Sequence, residues 1–268
     1  GVSLNYVEVG SGSETIVFSH GYLMSHRMYD EQIAALSSSA RVIAFDHRCH
    51  GASESVRTKF GMYDLVDDTA ALIRETCEGP VHFVGMSTGG FVGMRLTLRQ
   101  PELIKSLVLI DTSADHESPE ALRGNKVLLV ILGLFGFRPV INKAMSILMG
   151  APFLNDPNRK DQVQFWKSYI MSLDRQAIRQ FGYAIFSRDS VLDDLKRAND
   201  FVPTQIIVGE LDQPTPMRNS TDMLNAISGS ELTIVPNAGH TSPVEEPQIV
   251  TDALHEFYER IDAFTQDQ

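Results

Sequence analysis

One short segment constrains the fold more than any other. At residues 81–93 an apolar run ends in a G-x-S-x-G turn and continues directly into a helix-like stretch, with Ser87 at the tip of the turn. A serine between a strand and a helix in this arrangement adopts positive φ, so the residues two before and two after it must lack bulky side chains. Gly85 and Gly89 meet that requirement. The segment therefore predicts a buried strand, a tight turn that presents Ser87, and a helix.

Ser87 is a candidate nucleophile, although the motif also arises by chance in glycine-rich structural or nucleotide-binding loops. The positive end of the following helix lies at the turn, so the N–H of Thr88 can face a developing oxyanion. The N–H of Tyr22, which follows Gly21 at the end of another predicted strand, is the second candidate donor. Neither G-x-x-x-x-G-K-[ST] nor G-x-G-x-x-G occurs at the turn, which disfavours a phosphate-binding loop.

Charge and cysteine content limit the classes of partner. The chain has 23 Lys and Arg against 34 Asp and Glu, a net charge of −11, which argues against nucleic acid or an anionic membrane surface. Cys49 and Cys77 form no C-x-x-C pair, so we expect free thiols, with one disulfide as the alternative, and no zinc. Residues 1–10 lack the basic and apolar regions of a signal peptide. We expect a cytoplasmic location and no cofactor.

Strand-like and helix-like segments alternate with short connections over much of the chain. Apolar, β-branched or alternating runs predict strands at residues 1–10, 15–19, 41–45, 81–87, 104–110, 204–208 and 231–235. Helical spacing predicts helices at residues 28–36, 62–74, 216–227 and 247–264, in addition to the helix that follows the turn at Ser87. This order predicts an α/β fold with a mostly parallel central sheet and helices on both faces.

The alternation stops in the middle of the chain. Residues 114–202 contain several helix-like segments and no convincing strand, and a structureless loop of about 90 residues inside a compact domain would be unusual. We therefore predict an inserted helical cap at 114–202 on a core domain formed by residues 1–113 and 203–268. The apolar run at 127–137 falls short of the roughly 20 residues that span a bilayer. We expect it to pack the cap helices or to form a substrate-facing wall.

A nucleophile, a base and an acid can be assembled from residues that follow predicted strands. Ser87, Asp212 and His240 occur in that order, each directly after a strand. Acyl transfer by serine needs a base to accept its proton and a carboxylate to orient the base. The carboxyl ends of parallel strands lie at one edge of a sheet, where ligands bind. Asp111 also ends a strand and is the rival for the acid position.

Three further histidines lie near this edge. His20 follows the second predicted strand, and His47 and His50 lie in the segment after the third. A metal site or a general base is conceivable, but a structural role explains them better. In the segment from Asp46 to Ser53, polar side chains, including Arg48, can hydrogen-bond the reversing backbone.

These features resemble the α/β-hydrolase superfamily over nearly the whole chain. The matching segments are His20-Gly21, Asp46-x-Arg48-x-His50-Gly51-x-Ser53, Gly85 to Gly89, Gly209-Glu-Leu-Asp212 and Asn237-Ala-Gly-His240. Within the superfamily the chain is similar to small capped serine esterases, to 3-oxoadipate enol-lactonase-like proteins and to the non-haem haloperoxidase-like group. Cys49 departs from the pattern, which commonly has glycine there, and places a thiol near the cleft.

The resemblance implies a role for each candidate residue. Ser87 attacks a carbonyl carbon, His240 transfers the proton, and Asp212 orients and stabilises His240. The N–H groups of Tyr22 and Thr88 bind the oxyanion. The dehalogenase and epoxide-hydrolase branches require aspartate at position 87, so the resemblance argues against them.

The apolar cap favours small, mainly apolar carboxylic esters or lactones as substrates. We expect Tyr22, Met86, Leu128 and Trp166 to contact the substrate, with no metal in the site. A C–C bond hydrolase that acts on ring-cleavage products through the same residues is the alternative. A ligand receptor on a hydrolase fold is a third possibility, and the sequence leaves the oligomeric state open.

Overall fold

A seven-stranded sheet forms the centre of the computed structural model, which describes residues 1–198 and 201–263. Its strands are β1 Tyr6–Val9, β2 Thr15–Ser19, β3 Arg41–Phe45, β4 Val81–Met86, β5 Ile104–Ile110, β6 Thr204–Gly209 and β7 Glu231–Val235. They lie in the order β1-β3-β2-β4-β5-β6-β7. Only the β1–β3 pair among these strands is antiparallel.

Helices cover both faces of the sheet. The described helices are α1 Asp30–Leu36, α2 Met62–Thr76, α3 Thr88–Arg99, α4 Pro119–Phe135, α5 Ile141–Leu148, α6 Ala151–Asn155, α7 Lys160–Ser172, α8 Arg175–Phe186, α9 Leu192–Arg197, α10 Met217–Ala226, α11 Ser242–Glu245 and α12 Pro247–Arg260. Helix α1 packs against α12, and α2 packs against α3. The predicted α/β class with a mostly parallel sheet is confirmed.

The turn after β4 needs both of its glycines. All six residues of β4 are buried, and Ser87 follows with φ 50° and ψ −109° before α3 begins. A Cβ on Gly85 would lie 2.3 Å from the carbonyl oxygen of Gly89, and a Cβ on Gly89 would lie 2.0 Å from that of Ser19. Backbone therefore approaches backbone more closely than a side chain allows.

Two predicted helices differ in extent from the structure. The segment predicted as one helix at 28–36 is a 3₁₀ turn, His26–Tyr29, followed by α1. The last helix, predicted to reach residue 264, ends at Arg260, and Asp262 has a φ of 51°, outside the helical region. Residue 264 lies outside the described residues.

Helices α4 to α9, which we call the cap helices, lie between β5 and β6. Helix α4 packs against α8, and α5 packs against α7. The described part of 114–202 contains no strand. The limits of the predicted cap domain at 114 and 202, and of the core at 1–113 and 203–268, stay a prediction. Residues 199, 200 and 264–268 lie outside the described residues.

The apolar run at 127–137 forms the second half of α4 and the two residues after it. Leu129 and Leu132 are buried toward the interior of the molecule. Val127, Leu134 and Phe135 lie on the outer side and are 58%, 64% and 70% exposed. The run is therefore buried on one face of the helix and exposed on the other, unlike a fully buried core helix. Within residues 1–198 and 201–263, no helix has both the length and the apolarity needed to cross a bilayer.

Candidate active site

Ser87, His240 and Asp212 form a continuous chain of hydrogen bonds at the carboxyl edge of the sheet. Oγ of Ser87 lies 3.0 Å from Nε2 of His240, and Nδ1 of His240 lies 3.0 Å from each carboxylate oxygen of Asp212. The three follow β4, β7 and β6, respectively. The structure thus brings together residues that are up to 153 positions apart in the sequence.

Asp212 is held in place by the turn that contains it. The N–H of Thr215 donates to one carboxylate oxygen of Asp212 at 3.0 Å, and the Thr215 hydroxyl donates to the other at 2.7 Å. Burial opposes protonation of the His240 imidazole, but the Asp212 carboxylate outweighs burial and raises the pKa of His240. An imidazole in this environment is a stronger base than one exposed to water.

Asp111, the rival acid, has a different set of partners. One carboxylate oxygen accepts a hydrogen bond from the N–H of Gly209 at 2.7 Å. The other accepts from the N–H and hydroxyl of Ser242 at 2.9 and 2.7 Å. Burial, together with the nearby Asp212 charge, raises the pKa of Asp111. Asp111 therefore joins the end of β6 to the segment after His240, while Asp212 contacts the imidazole.

Glu245 fixes the loop that carries His240 and was not singled out in the sequence. Its buried carboxylate accepts hydrogen bonds from the N–H groups of Gly239 at 2.9 Å and Thr241 at 3.0 Å, the residues on either side of His240. It also accepts from the N–H of Gly150, at the start of α6, at 2.8 Å. Thr241 and Pro243 mark a helix start, which is the signal that could have placed Glu245 in its first turn.

Two backbone N–H groups are free near Ser87. In the part of the chain that the structure describes, the N–H groups of Tyr22 and Thr88 donate no hydrogen bond. The loop that contains Tyr22 is fixed on both sides: Nδ1–H of His20 donates to Gly21 O at 2.7 Å, and the N–H of Leu23 donates to Nε2 of His50 at 3.1 Å. The geometry leaves these two groups available to an incoming oxygen.

The histidines near the cleft have structural partners. Nε2 of His20 accepts from the N–H of His47 at 2.9 Å, and Nε2 of His47 lies 2.9 Å from the Ser19 hydroxyl. Burial lowers the pKa of His20 to about 4 and that of His50 to about 3, so both rings are neutral at pH 7. No three His, Cys, Asp or Glu side chains within the described ranges are arranged to hold a metal ion.

The turn after β3 is held partly as expected. The Ser53 hydroxyl donates to the carbonyl oxygen of Asp46 at 2.6 Å, and Gly51 has a φ of 54°. Arg48 differs from the expectation, because its guanidinium bonds Asp68 of α2 at 2.6 and 2.8 Å rather than the backbone of the turn. A local sequence pattern could not show that a helix 20 residues away supplies this carboxylate.

A largely apolar cavity of about 330 Å³ opens onto Ser87 and His240. Its lining comprises Tyr22, Leu23, Ser87, Phe91, Glu117, Ala121, Asn125, Leu128, Leu129, Leu132, Phe137, Val140, Ala144, Ile147, Leu148, Ile185, Phe186, Gln213, Pro214, Thr215 and His240. Most of these apolar side chains come from α4, α5 and α8, so the cap helices supply much of the wall. Volume and lining fit a small organic ligand.

Two of the four predicted substrate contacts line this cavity and two do not. Tyr22 and Leu128 are part of the wall. Met86 is fully buried at the end of β4, where its sulfur packs under Gly21. Trp166 is buried against Phe165 and Tyr169 of α7. Helix α7 packs on α5, and it is α5 that lines the cavity. Met86 and Trp166 therefore do not line this cavity, and their contact with substrate stays a prediction.

Cys49, the thiol expected near the cleft, does not line the cavity. It is buried, and burial raises the pKa of Cys49 to about 11. Its Sγ accepts a hydrogen bond from the N–H of Val56 at 3.4 Å. The thiol is thus a packed, protonated side chain at pH 7.

The doubly covered sheet, the strained serine turn and the Ser-His-Asp hydrogen bonds together describe a hydrolase of the α/β class. Residues 16–253 match the model of the alpha/beta hydrolase family, and the chain belongs to that family. It is 26% identical to 3-oxoadipate enol-lactonase 2 of Acinetobacter baylyi, over 97% of this chain and 94% of that protein.

Solved structures share the fold. A thermophilic esterase from Thermogutta terrifontis, solved with malate bound, has a TM-score of 0.89 at 24% identity, over 97% of this chain and 94% of its own. The enol-lactonase from Burkholderia xenovorans has a TM-score of 0.88 at 23% identity, over 96% and 97%.

Proposed function

We propose that the protein is a serine hydrolase that cleaves small, mainly apolar carboxylic esters or lactones through an acyl-enzyme on Ser87. The observation that carries the proposal is the hydrogen-bonded chain from Ser87 through His240 to Asp212, which opens into an apolar cavity. Relatives named as an esterase/lipase and an enol-lactonase support the hydrolysis of ester and lactone bonds.

Acylation follows from the geometry of these groups. Oγ of Ser87 attacks the carbonyl carbon as its proton passes to Nε2 of His240, 3.0 Å away. The carbonyl oxygen becomes an oxyanion and accepts hydrogen bonds from the N–H groups of Tyr22 and Thr88. Asp212 stabilises the imidazolium, which then gives its proton to the departing alcohol oxygen as the C–O bond breaks.

Deacylation repeats these roles with water. A water molecule attacks the acyl carbon and gives a proton to Nε2 of His240, and the second tetrahedral intermediate collapses to release the acid. His240 returns its proton to Oγ of Ser87, which restores the enzyme. Atoms and charge balance without a cofactor, because one water is consumed for each ester bond cleaved.

The acid of this mechanism is Asp212 rather than Asp111. Asp212→Asn keeps one acceptor oxygen but turns the imidazole toward the wrong tautomer, so we expect kcat to fall about 10⁴-fold with folding unchanged. Asp111→Asn places an amide NH₂ against buried N–H donors, so we expect a loss of about 1–3 kcal/mol in unfolding free energy and a far smaller loss of kcat. The opposite result, with near-normal turnover in Asp212→Asn and collapse in Asp111→Asn, refutes the assignment.

Labelling and a substrate panel test the reaction class. A fluorophosphonate should modify the wild type at Ser87, located by peptide mass spectrometry, and leave Ser87→Ala unmodified. A panel of short p-nitrophenyl esters, lactones and vinylogous diketones should show turnover of the first two classes. Turnover of the diketones alone would assign C–C bond hydrolysis instead. Tight ligand binding without labelling of Ser87 would indicate a receptor.

A further inference from the structure

A partly buried ion pair contributes its carboxylate to the cavity wall. The Glu117 carboxylate lines the cavity and accepts a hydrogen bond of 2.7 Å from Nη1 of Arg188. The Glu117 side chain is 17% exposed and that of Arg188 is 3% exposed. Glu117 precedes α4 and Arg188 follows α8, so the pair joins two segments of the cap.

Arg188 lies one layer behind the wall. Its Nε donates to the carbonyl oxygen of Asp115 at 3.1 Å, and Nη1 also donates to that of Ile185 at 3.1 Å. The guanidinium carbon lies 3.9 Å from the centre of the Phe91 ring. Phe91 and Glu117 line the cavity and Arg188 does not, so the pair presents its negative end to the interior.

Glu117 dominates the charge of an otherwise apolar wall. Among the lining residues that the structure describes, it is the sole carboxylate, and none is lysine or arginine. A neutral alkyl chain in this cavity contacts apolar side chains. A ligand with a second carboxylate would place its charge near Glu117 without a cation in contact, and like charges brought together at a binding surface repel each other.

We propose that Glu117 determines specificity by admitting neutral acyl or alcohol groups and excluding substrates that carry an additional carboxylate. This inference rests on the proposed ester or lactone hydrolysis and narrows the substrate class of that same site. It also gives Arg188 a defined state: its charge is neutralised by Glu117. Loss of the Glu117 charge leaves the Arg188 charge behind the wall without its partner, and that charge attracts a carboxylate.

Two esters of equal chain length test the proposal. p-Nitrophenyl pentanoate ends in a methyl group, and the mono-p-nitrophenyl ester of glutaric acid carries a carboxylate at the same position. For the wild type we expect kcat/KM to be at least about 30-fold lower for the glutarate ester. Glu117→Gln, whose amide oxygen can still accept from Arg188, should raise the glutarate-to-pentanoate ratio at least about tenfold.

Matched variants separate the contributions of the two charges. Glu120→Gln removes an exposed carboxylate three positions away and should leave the ratio unchanged. The double variant Glu117→Gln/Arg188→Met removes both charges and should give a ratio between those of wild type and Glu117→Gln. A double variant that keeps the full gain overturns the role of Arg188. Equal turnover of the two esters by wild type, or an unchanged ratio in Glu117→Gln, overturns the role of Glu117.

A binding measurement separates this inference from the proposed reaction. Calorimetry with Ser87→Ala gives the Kd of each ester without turnover, and we expect the pentanoate ester to bind at least about tenfold more tightly. If the wild type hydrolyses neither ester while Ser87→Ala retains this preference, the reaction is wrong and the charge selectivity stands. If both esters bind equally, or neither binds, the charge selectivity is wrong.

Discussion

Glu245→Gln tests whether a residue that does not line the cavity fixes the loop carrying His240 and raises the pKa of its imidazole. The carboxylate accepts from the N–H groups of Gly150, Gly239 and Thr241 and from the Thr241 hydroxyl. Its negative charge contributes to the raised pKa of His240. Burial, which opposes the shift, and the charges of Asp212 and Asp111, which favour it, have larger effects. The substitution removes that charge and little volume.

The size of the effect on stability follows from the hydrogen bonds. A glutamine oxygen can retain the N–H groups of Gly150 and Gly239, which share one carboxylate oxygen, but its NH₂ then faces the N–H of Thr241. The Thr241 hydroxyl keeps the carbonyl oxygen of Leu148 as an acceptor, at 3.1 Å. One buried donor without an acceptor costs about 1–3 kcal/mol of unfolding free energy.

The effect on catalysis has a defined sign. Because His240 must be neutral to act as the base, kcat/KM falls as the pH drops through its pKa in the free enzyme. Removal of the Glu245 charge lowers the pKa of His240, so the acid limb of the pH profile should move to lower pH. The assay is kcat/KM for p-nitrophenyl pentanoate by stopped-flow, with unfolding free energy measured by urea denaturation.

Glu246→Gln is the matched control, since it removes a carboxylate at the next position, where the side chain is only half-buried. It should change neither the acid limb nor the unfolding free energy by a comparable amount. If Glu245→Gln leaves the acid limb in place while stability falls, Glu245 is purely structural and the electrostatic reasoning fails. If neither the acid limb nor the unfolding free energy changes, the hydrogen bonds of Glu245 do not stabilise the protein either.

Two further predictions concern the core of the molecule. The pKa values of about 4 for His20 and about 3 for His50 lie below that of an unfolded histidine, so their neutral forms stabilise the protein fully above pH 6.5. This contribution is lost as the pH falls toward 4, and each histidine should lower the unfolding free energy by about 2 kcal/mol at pH 5 relative to pH 7.5. Urea denaturation at the two pH values checks this. Gly89→Ala forces a Cβ to within 2.0 Å of the Ser19 carbonyl oxygen and should cost at least about 3 kcal/mol, measured by thermal unfolding. Gly124→Ala, where the Cβ meets open space in α4, should instead stabilise by up to about 1 kcal/mol, and similar effects of the two changes would contradict the packing argument.

The parts of the fold that depend on local chemistry were predictable from the sequence. β-Branched runs marked the strands of the sheet, and Gly85 and Gly89 marked the turn at Ser87 because no other residue fits the observed contacts. The grouping of Ser87, Asp212 and His240 was also accessible, since neighbouring parallel strands end at one edge. Their catalytic roles stay proposals that the experiments above address.

Contacts between distant helices could not be predicted in this way. Trp166 was expected beside the cavity, but only the packing of α7 on α5 shows that α5, and not Trp166, lines it. The Glu117–Arg188 pair spans 71 positions, and the Glu245–Gly150 bond spans 95. Such pairs depend on how segments far apart in the sequence pack against one another, and the periodicity of a single sequence does not predict that packing.

The hydrogen bond from Gly150 to Glu245 has a consequence for the diversification of this architecture. Most of the cavity wall comes from the cap helices, whereas Ser87, Asp212 and His240 follow strands of the sheet. Replacement of the cap helices can therefore change substrate selectivity without changing these three residues. The N–H of Gly150 is an exception, because it shares a carboxylate oxygen with the loop that bears the base. We expect a chimera that replaces the segment around Gly150 to misplace the His240 imidazole. A chimera that keeps this segment should tolerate foreign cap helices.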